Sequence, residues 1–522
     1  MKTKSFRIYS IAIFSLLLTF TLGCKKDDPA ELPTLNTLPV TEITSNSAKS
    51  GGNITYDGGA PVTVCGVVWG TTENPTIEAN VGLTSDGEGR GEYISTLTDL
   101  STSTKYYVRA YATNREGTAY GNRIEFTTRI QFAGGTGTQT DPYLLESPEQ
   151  LDGVRQYLDK HFRQIADIDL SGYSSGAGWQ PIFDWEDGFC GSLDGNGFKI
   201  VNLTINRTGT NYIGLFGNVF ENSTLINLAL ENVNIKGKDG TGSIAGYNLG
   251  EIINCYATGI VEGNMETGGL AGVNIGLITN SHASVGVSGK TASTGGLAGI
   301  NVGNVMDSYA DGFISGNINT GGLAGSNYIG NIINSYATGN VSGKVGVGGL
   351  LGENIGTISN CFAAGDVSGD DEAGGLISQN LGIIENSFAA GSVSKKNAGG
   401  LVYYNAGTIT NCYATGDVSG EDYSGGLVVY SNGDIINCYA TGKVSGGKKS
   451  GGLISENMMY NIEGNIVYCY YDKETTEQDD TGKGIPKTTA EMMQQSTFEN
   501  WDFTNIWGID EGNGYPYLQK IE

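Results

Sequence analysis

The stretches GGLAGVNIGLITNSHA at 268–283, GGLAGSNYIGNIINSYA at 321–337 and GGLVYYNAGTITNCYA at 399–414 are one phrase written three times. Its leucine position falls at Ile244, Leu270, Leu297, Leu323, Leu350, Leu376, Leu401, Leu427 and Leu453, at spacings of 26, 27, 26, 27, 26, 25, 26 and 26 residues. A fixed period of this size marks a solenoid, in which each unit buries its apolar face only by stacking on its neighbours.

The units are short alternating segments bounded by Gly and Asn every eight or nine residues, which no α-helix tolerates. Polar and apolar positions also stay aligned from unit to unit, as in-register parallel stacking requires. The spacing therefore predicts an all-β chain built around a parallel β-helix. Its winding is expected to be right-handed, like parallel crossovers in general, with three strands per coil written roughly GGLAG, IxNSYA and GxVSG. Aligned positions become ladders. The Leu set forms one, and Ile252, Ile278, Val305, Ile358, Ile384, Ile409 and Ile435 form a second. Aromatic residues occupy a third, at Tyr256, His282, Tyr309, Tyr336, Phe362, Phe388, Tyr413 and Tyr439. Asparagines occupy a fourth, at Asn254, Asn280, Asn334, Asn360, Asn386, Asn411 and Asn437, with Asp307 in the same series. Stacked amides can hydrogen-bond along the axis.

Five of the eight cysteines, Cys255, Cys361, Cys412, Cys438 and Cys469, share one repeat position with Ser281, Ser308, Ser335 and Ser387. Interchange with Ser predicts a small buried side chain. A disulfide between Cys412 and Cys438 on neighbouring rungs is the alternative in an oxidising compartment.

The 82 glycines recur at repeat positions, which assigns them to tight turns and not to disorder. A formal charge of −25 argues against nucleic acid as a partner, because phosphate binding needs clustered cations. No arginine follows Arg207, so the repeats also lack bidentate clamps for anions.

Outside the repeats the chain divides into further segments. Residues 1–24 carry Lys2, Lys4 and Arg7 before an apolar run from Ile8 to Leu22 that ends at Gly23-Cys24, the pattern of a secretory signal. Cys24 after a small residue resembles a bacterial lipobox, which implies lipidation there and anchoring through buried methylenes. A soluble secreted chain is the alternative. Residues 25–31 read as a tether; Lys25-Lys26-Asp27-Asp28 resembles the surface-export signal of some Gram-negative lipoproteins. Residues 32–129 alternate as strands between Gly, Asn and Ser turns, which predicts a β-sandwich with Trp69 in its core. Residues 130–213 are expected to cap the solenoid's N-terminal end, with a helix opening at Ser147-Pro148-Glu149-Gln150. The repeats themselves run over 214–471. Residues 472–522 form a C-terminal cap in which Trp501, Phe503, Trp507 and Tyr517 are expected to close the opposite end.

Two resemblances follow from these residues. The segment Leu100-Ser-Thr-Ser-Thr104-Lys-Tyr106-Tyr-Val108 resembles the tyrosine corner of fibronectin type III domains, whose hydroxyl ties the corner to nearby backbone. The consensus GGLxGxNxGxIxNSYAxGxVSG resembles the GLUG-type repeat family over 214–471. That resemblance implies a bacterial surface protein, since such repeats occur in adhesins and in the non-catalytic parts of IgA-cleaving metalloproteases. It brings no protease chemistry: a zincin needs His-Glu-x-x-His, and the only histidines are His161 and His282.

No phosphate-binding loop follows any glycine pair, and Asp479-Asp480-Thr-Gly lacks the alternating ligands of a calcium loop. The one enzymatic alternative is a β-helical glycoside hydrolase or lyase using Asp366 and Asp417, which occupy one repeat position two rungs apart. Their equivalents Asn340, Ser392 and Lys443 favour an ordinary ladder position instead. Tyr403, Tyr404, Tyr423 and Tyr430 break the small-residue pattern on neighbouring rungs, either as exposed contact residues or as rings turned into the core. The combined expectation is a monomeric outer-membrane lipoprotein of a Gram-negative bacterium, exposed at the cell surface. It would bind a host or matrix surface protein or a glycan without catalysis, needing no cofactor and no metal. A passive spacer is the third reading.

Overall fold

The computed structural model describes residues 29–182, 188–456, 464–481 and 483–520; Cys24 lies outside them. The chain divides between Gln131 and Phe132 into two compact units. In the first, strands Thr34–Thr41, Ala48–Tyr56 and Gly91–Leu97 form one antiparallel sheet. Val64–Gly70, Gly82–Leu83, Lys105–Asn114, Gly117–Tyr120 and Ile124–Thr127 form a second. Alternate residues from both meet in one core of Ala48, Val67, Trp69, Leu97, Leu100, Tyr106, Val108 and Phe126. The Tyr106 hydroxyl accepts the Ser101 N–H at 2.9 Å, tying the corner to the strand that follows it.

The second unit is a parallel β-solenoid with three lateral faces. A ten-stranded sheet stacks the AGxN segments, from Phe216–Val219 to Ile454–Glu456, and a thirteen-stranded sheet stacks the central xIx segments. A twenty-three-stranded sheet carries the aromatic position together with the VSG segment. Strand divisions differ from the sequence reading in one respect. The phrase IxNSYA does not form one strand, because its Asn adopts a left-handed conformation, φ 52° at Asn254 and 54° at Asn360. Asparagine tolerates that region better than other side-chain-bearing residues, so the chain turns there and passes to the next face.

Register is maintained rung after rung: Ile252 pairs Ile278, Ile278 pairs Val305, Val305 pairs Ile332 and Ile332 pairs Ile358. The Leu and Ile ladders are fully buried in one continuous core. At the second glycine of each pair the coils nearly touch. A Cβ added to Gly322 would lie 2.0 Å from the Gly349 carbonyl oxygen and 2.7 Å from the Ala337 methyl. The GG pair is thus a close-approach device, matched to the Ala that follows each aromatic residue.

Stacking starts upstream of the regular repeats. Tyr143–Leu145, His161–Gln164, Ser192–Asp194 and Thr224–Ile226 pair in parallel as successive rungs, so most of the segment expected to be a cap is already solenoid. The helix Pro148–Gly153, capped by Ser147 accepting from the Gln150 N–H, packs Leu151 into the same core. Gln150 accepts from the Glu146 N–H at 2.8 Å, one residue before the partner a capping box would use.

The C-terminal segment also departs from expectation. Trp501 and Trp507 do not close the end of the core but lie laterally on the aromatic ladder, 6.1 and 6.0 Å from Tyr439, and the Tyr439 hydroxyl donates to the Pro516 carbonyl at 2.6 Å. Tyr517 is 53% exposed. The physical reason is that the ladder's rings are only half-buried along the solenoid and offer an apolar lateral surface. The core end is closed instead by Tyr471, fully buried, with its ring against Gly452.

Candidate functional site

Ladder chemistry accounts for most residues that sequence reasoning singled out. The aromatic ladder is a column of nearly parallel rings. Successive centroids from Tyr256 through His282 to Tyr439 lie 4.6–5.1 Å apart with planes within 8°. His282 sits 5.1 Å from Tyr256 and 4.6 Å from Tyr309 as a member of the stack. Burial lowers its pKa, against a smaller upward pull from Asp311.

The shared Cys/Ser position is buried and hydrogen-bonded to one pattern. Ser281 Oγ donates to the Thr279 carbonyl at 2.8 Å and accepts the Cys255 N–H at 3.0 Å. Cys438 repeats both contacts more loosely, 3.1 Å to the Ile436 carbonyl and 3.4 Å from the Cys412 N–H. Cys412 and Cys438 are not joined by a disulfide. Burial pushes the Cys255 and Cys361 thiols up to about 12, which holds them protonated and unreactive.

Asp366 and Asp417 are exposed and structural in their contacts. Asp366 Oδ1 accepts the Ser392 N–H and Asp417 Oδ1 accepts the Lys443 N–H, each at 3.0 Å. Asn340 does the same for the Asp366 N–H, also at 3.0 Å. At Asn340, Asp366 and Asp417 the side-chain oxygen therefore bridges to the backbone of the next rung, a structural contact that the equivalent Lys443 does without. Two of the neighbouring acids are paired: Asp371 with Lys396 at 2.9 Å and Asp422 with Lys448 at 2.7 Å.

The tyrosines do come together. Parallel pairing stacks Gln379, Tyr404 and Tyr430 in one column and Glu372, Asn397 and Tyr423 in the column beside it. Tyr423 and Tyr430 are 5.3 Å apart between centroids. Glu372 accepts from Gln379 Nε2 at 2.9 Å one rung-pair earlier. Burial raises the Glu372 carboxyl, with the Gln379 bond opposing it, and burial alone raises that of Glu353, which precedes Gln379 in its column. Asn397 is 7% exposed, and its Oδ1 has no partner among the described residues. Of the two alternatives the sequence left open for these rings, Tyr403 takes the covered one. It is 6% exposed, its ring edge-on to Tyr430 at 5.7 Å, because it occupies a repeat position that the adjoining turn covers. At the equivalent Gly352 an added Cβ would meet the Asn319 backbone at 2.5 Å. Tyr404, Tyr423 and Tyr430 remain half-exposed. Rings, a carboxyl and primary amides on one corner can stack on an apolar face while exchanging hydrogen bonds with hydroxyls or peptide groups.

Sequence reasoning missed a second asparagine ladder. Asn248, Asn274, Asn301, Asn327, Asn354, Asn380 and Asn405 are buried, and each Nδ2 donates to the next Asn Oδ1 at 2.7–2.9 Å until Asn405 reaches Ser431 Oγ at 3.1 Å. The signal was present as the Asn at the seventh position of the phrase, replaced by Ser at 431. Among the described residues no cluster of three or more His, Cys, Asp or Glu side chains could hold a metal, and no helix is long and apolar enough to cross a membrane.

Comparison with known proteins bears on the repeat. A family model described as the GLUG motif matches residues 316–342, which make one coil of the solenoid. Over 130 residues the chain is 45% identical to a protein of Evansella cellulosilytica described as a Gly-rich membrane protein, covering 24% of this chain and 15% of that one. Over 138 residues it is 37% identical to halomucin of Haloquadratum walsbyi, covering 25% of this chain and 2% of that one. The chain thus spans only a small part of either relative. Among solved structures it is similar to IgA1 protease, with a TM-score of 0.29 and 14% identity over 79% of this chain and 29% of that one.

Proposed function

We propose that this chain is a non-catalytic binding protein displayed at the cell surface, and that the corner carrying Tyr404, Tyr423 and Tyr430 is its contact surface. The observation that carries the reading is the convergence of these three half-exposed rings on adjacent rungs, with Tyr423 and Tyr430 5.3 Å apart. Aromatic groups concentrated on an otherwise small-residue and polar corner are the type of feature that supplies contact energy at low entropic cost. The ligand class is a host or matrix surface glycan or protein, and the lateral face would add avidity through repeated weak contacts.

Display at the surface rests on the signal-like N-terminus ending in Cys24, which would carry the lipid anchor to an outer membrane, and on relatives described as a membrane protein and as halomucin. A hydrolase or lyase using Asp366 and Asp417 finds less support, because both carboxylates are engaged by backbone of the following rung. The test is a screen of purified residues 25–522 against glycan and extracellular-matrix arrays, with product analysis of every glycan hit. Saturable binding to an intact ligand is the expected result. Cleaved glycan, or binding to nothing on either array, would refute the reading.

A further inference from the structure

The outward side of the thirteen-stranded sheet changes character at its first rungs. In-register pairing sets His161, Ser192 and Thr224 in one column and Arg163, Asp194 and Ile226 in another, while Phe162, Leu193 and Leu225 between them point into the core. Gln139 and Pro142 from before the first strand, with Asn222 from a turn, wall these columns around a hollow of about 260 Å³. Farther along, the His161 position is taken by Glu251, Leu277, Asn304 and Asn331, and hydroxyls return only singly, at Thr357 and Thr408, so an imidazole beside two adjoining hydroxyls belongs to this end.

Two contacts organise the hollow. His161 Nδ1 and Ser192 Oγ are 2.8 Å apart, and Arg163 Nε donates to Asp194 Oδ2 at 3.3 Å. Asp194 is itself fixed, since its Oδ1 accepts the Asn196 N–H and the Asn227 amide, each at 2.9 Å. The other two arginines of this unit have both Nε and Nη nitrogens engaged: Arg155 with Asp152 and with the Pro181 and Gln180 carbonyls, Arg207 with the Trp179 and Gly178 carbonyls. Among the described residues Arg163 is held by its Nε edge alone, which leaves its Nη edge unspent in a chain otherwise rich in acids.

A guanidinium edge matches the two oxygens of a carboxylate in a planar, bidentate fashion. The hydroxyls of Ser192 and Thr224 and the amides of Gln139 and Asn222 supply donors and acceptors for a polar body attached to it. We propose that this hollow is a binding site for the carboxylate of a small polyhydroxylated acid, of which a uronic acid is one example, with Arg163 as the carboxylate's partner. The site is separate from the tyrosine corner, and its test is independent of that reading.

The test is calorimetric titration of the purified full chain with digalacturonate, its methyl ester and acetate. The expected result is saturable heat with digalacturonate, affinity about tenfold lower in Arg163→Gln, and no heat with the neutral ester. Ser192→Ala keeps the Arg163–Asp194 pair, so it tests the hydroxyl's share in a chain with that contact intact; a loss of a few-fold is expected. Acetate binding as tightly as digalacturonate would overturn the assignment to a polyhydroxylated acid, because acetate has no polar body for these hydroxyls and amides to hold. No saturable heat with either acid, equal binding of the ester, or an Arg163→Gln affinity equal to wild type in a variant with an unchanged melting curve would overturn the proposal.

Discussion

Asn301 donates its side-chain amide to Asn327 Oδ1 at 2.8 Å, one link in a buried chain of amides whose N–H groups all point toward the C-terminal rungs. The exposed ladder runs the other way: Asn360 donates to Asn334 at 3.1 Å and Asn411 to Asn386 at 3.1 Å, toward the N-terminus. Among the described residues each chain leaves an unpaired acceptor where its polarity requires one, Asn248 Oδ1 at the start of the buried ladder and Asn437 Oδ1 at the end of the exposed one. The two ladders do different work. The buried one satisfies polar groups inside the solenoid, and the exposed one supplies the left-handed turn.

Asn327→Ala is expected to cost about 2–4 kcal/mol, because it strands the buried Asn301 donor, the Asn354 acceptor and the Gly330 carbonyl it serves at 3.0 Å. Asn360→Gly keeps the positive φ available and is expected to cost about 1 kcal/mol or less, whereas Asn360→Val forces a β-branched residue into that region and costs more. Urea unfolding of the three variants checks the order. Equal losses at Asn327 and Asn360 would show that the ladders are equivalent.

Gly322→Ala tests the close approach of the coils. The added methyl would lie 2.0 Å from the Gly349 oxygen, backbone that cannot move without shifting the next rung. A loss of about 3 kcal/mol or more is expected in the same unfolding assay, in the range of severe overpacking.

How much was legible follows from which residues recur. Leu, Ile, aromatic and Cys/Ser ladders could be read because their spacing hardly varies, and the structure stacks them as read. The upstream coils escaped notice because rung length there is irregular: Tyr143 pairs Phe162, His161 pairs Ser192 and Ser192 pairs Thr224, at separations of 19, 31 and 32 residues. The lateral packing of Trp501 and Trp507 was also hidden, since composition marks them as covering residues without saying what they cover. At the tyrosine corner the sequence marked four positions, but only three-dimensional register separates covered Tyr403 from its half-exposed neighbours.

The pH dependence of the aromatic stack is predicted from His282. Its pKa is lower in the folded chain than the unperturbed value of 6.5, with burial the cause. Protonation therefore favours unfolding. The stack keeps its full stability above the unfolded value and loses it as pH falls from there through the lower folded value. Between about pH 7.5 and 5.5 the melting temperature of wild type should fall more than that of His282→Tyr. Parallel pH profiles would contradict this.

Thiol labelling tests the Cys/Ser position. In native chain with Cys24 replaced by Ser, the exposed Cys190 is expected to react, while Cys255, Cys361, Cys412, Cys438 and Cys469 react only after unfolding. Cys361→Ser should change stability by about 1 kcal/mol or less, since Ser makes the same pair of hydrogen bonds at Ser335 and Ser387. Rapid native labelling of the ladder thiols would mean that the rungs open.

The most direct test of the binding account compares wild type with Tyr404→Ser/Tyr430→Ser and with Asp366→Asn/Asp417→Asn on the ligand found by the array screen. The account predicts at least about tenfold weaker binding for the tyrosine variant, unchanged binding for the aspartate variant, and a chemically intact ligand throughout. Undiminished binding by the tyrosine variant, or ligand cleavage abolished by the aspartate changes, would contradict it.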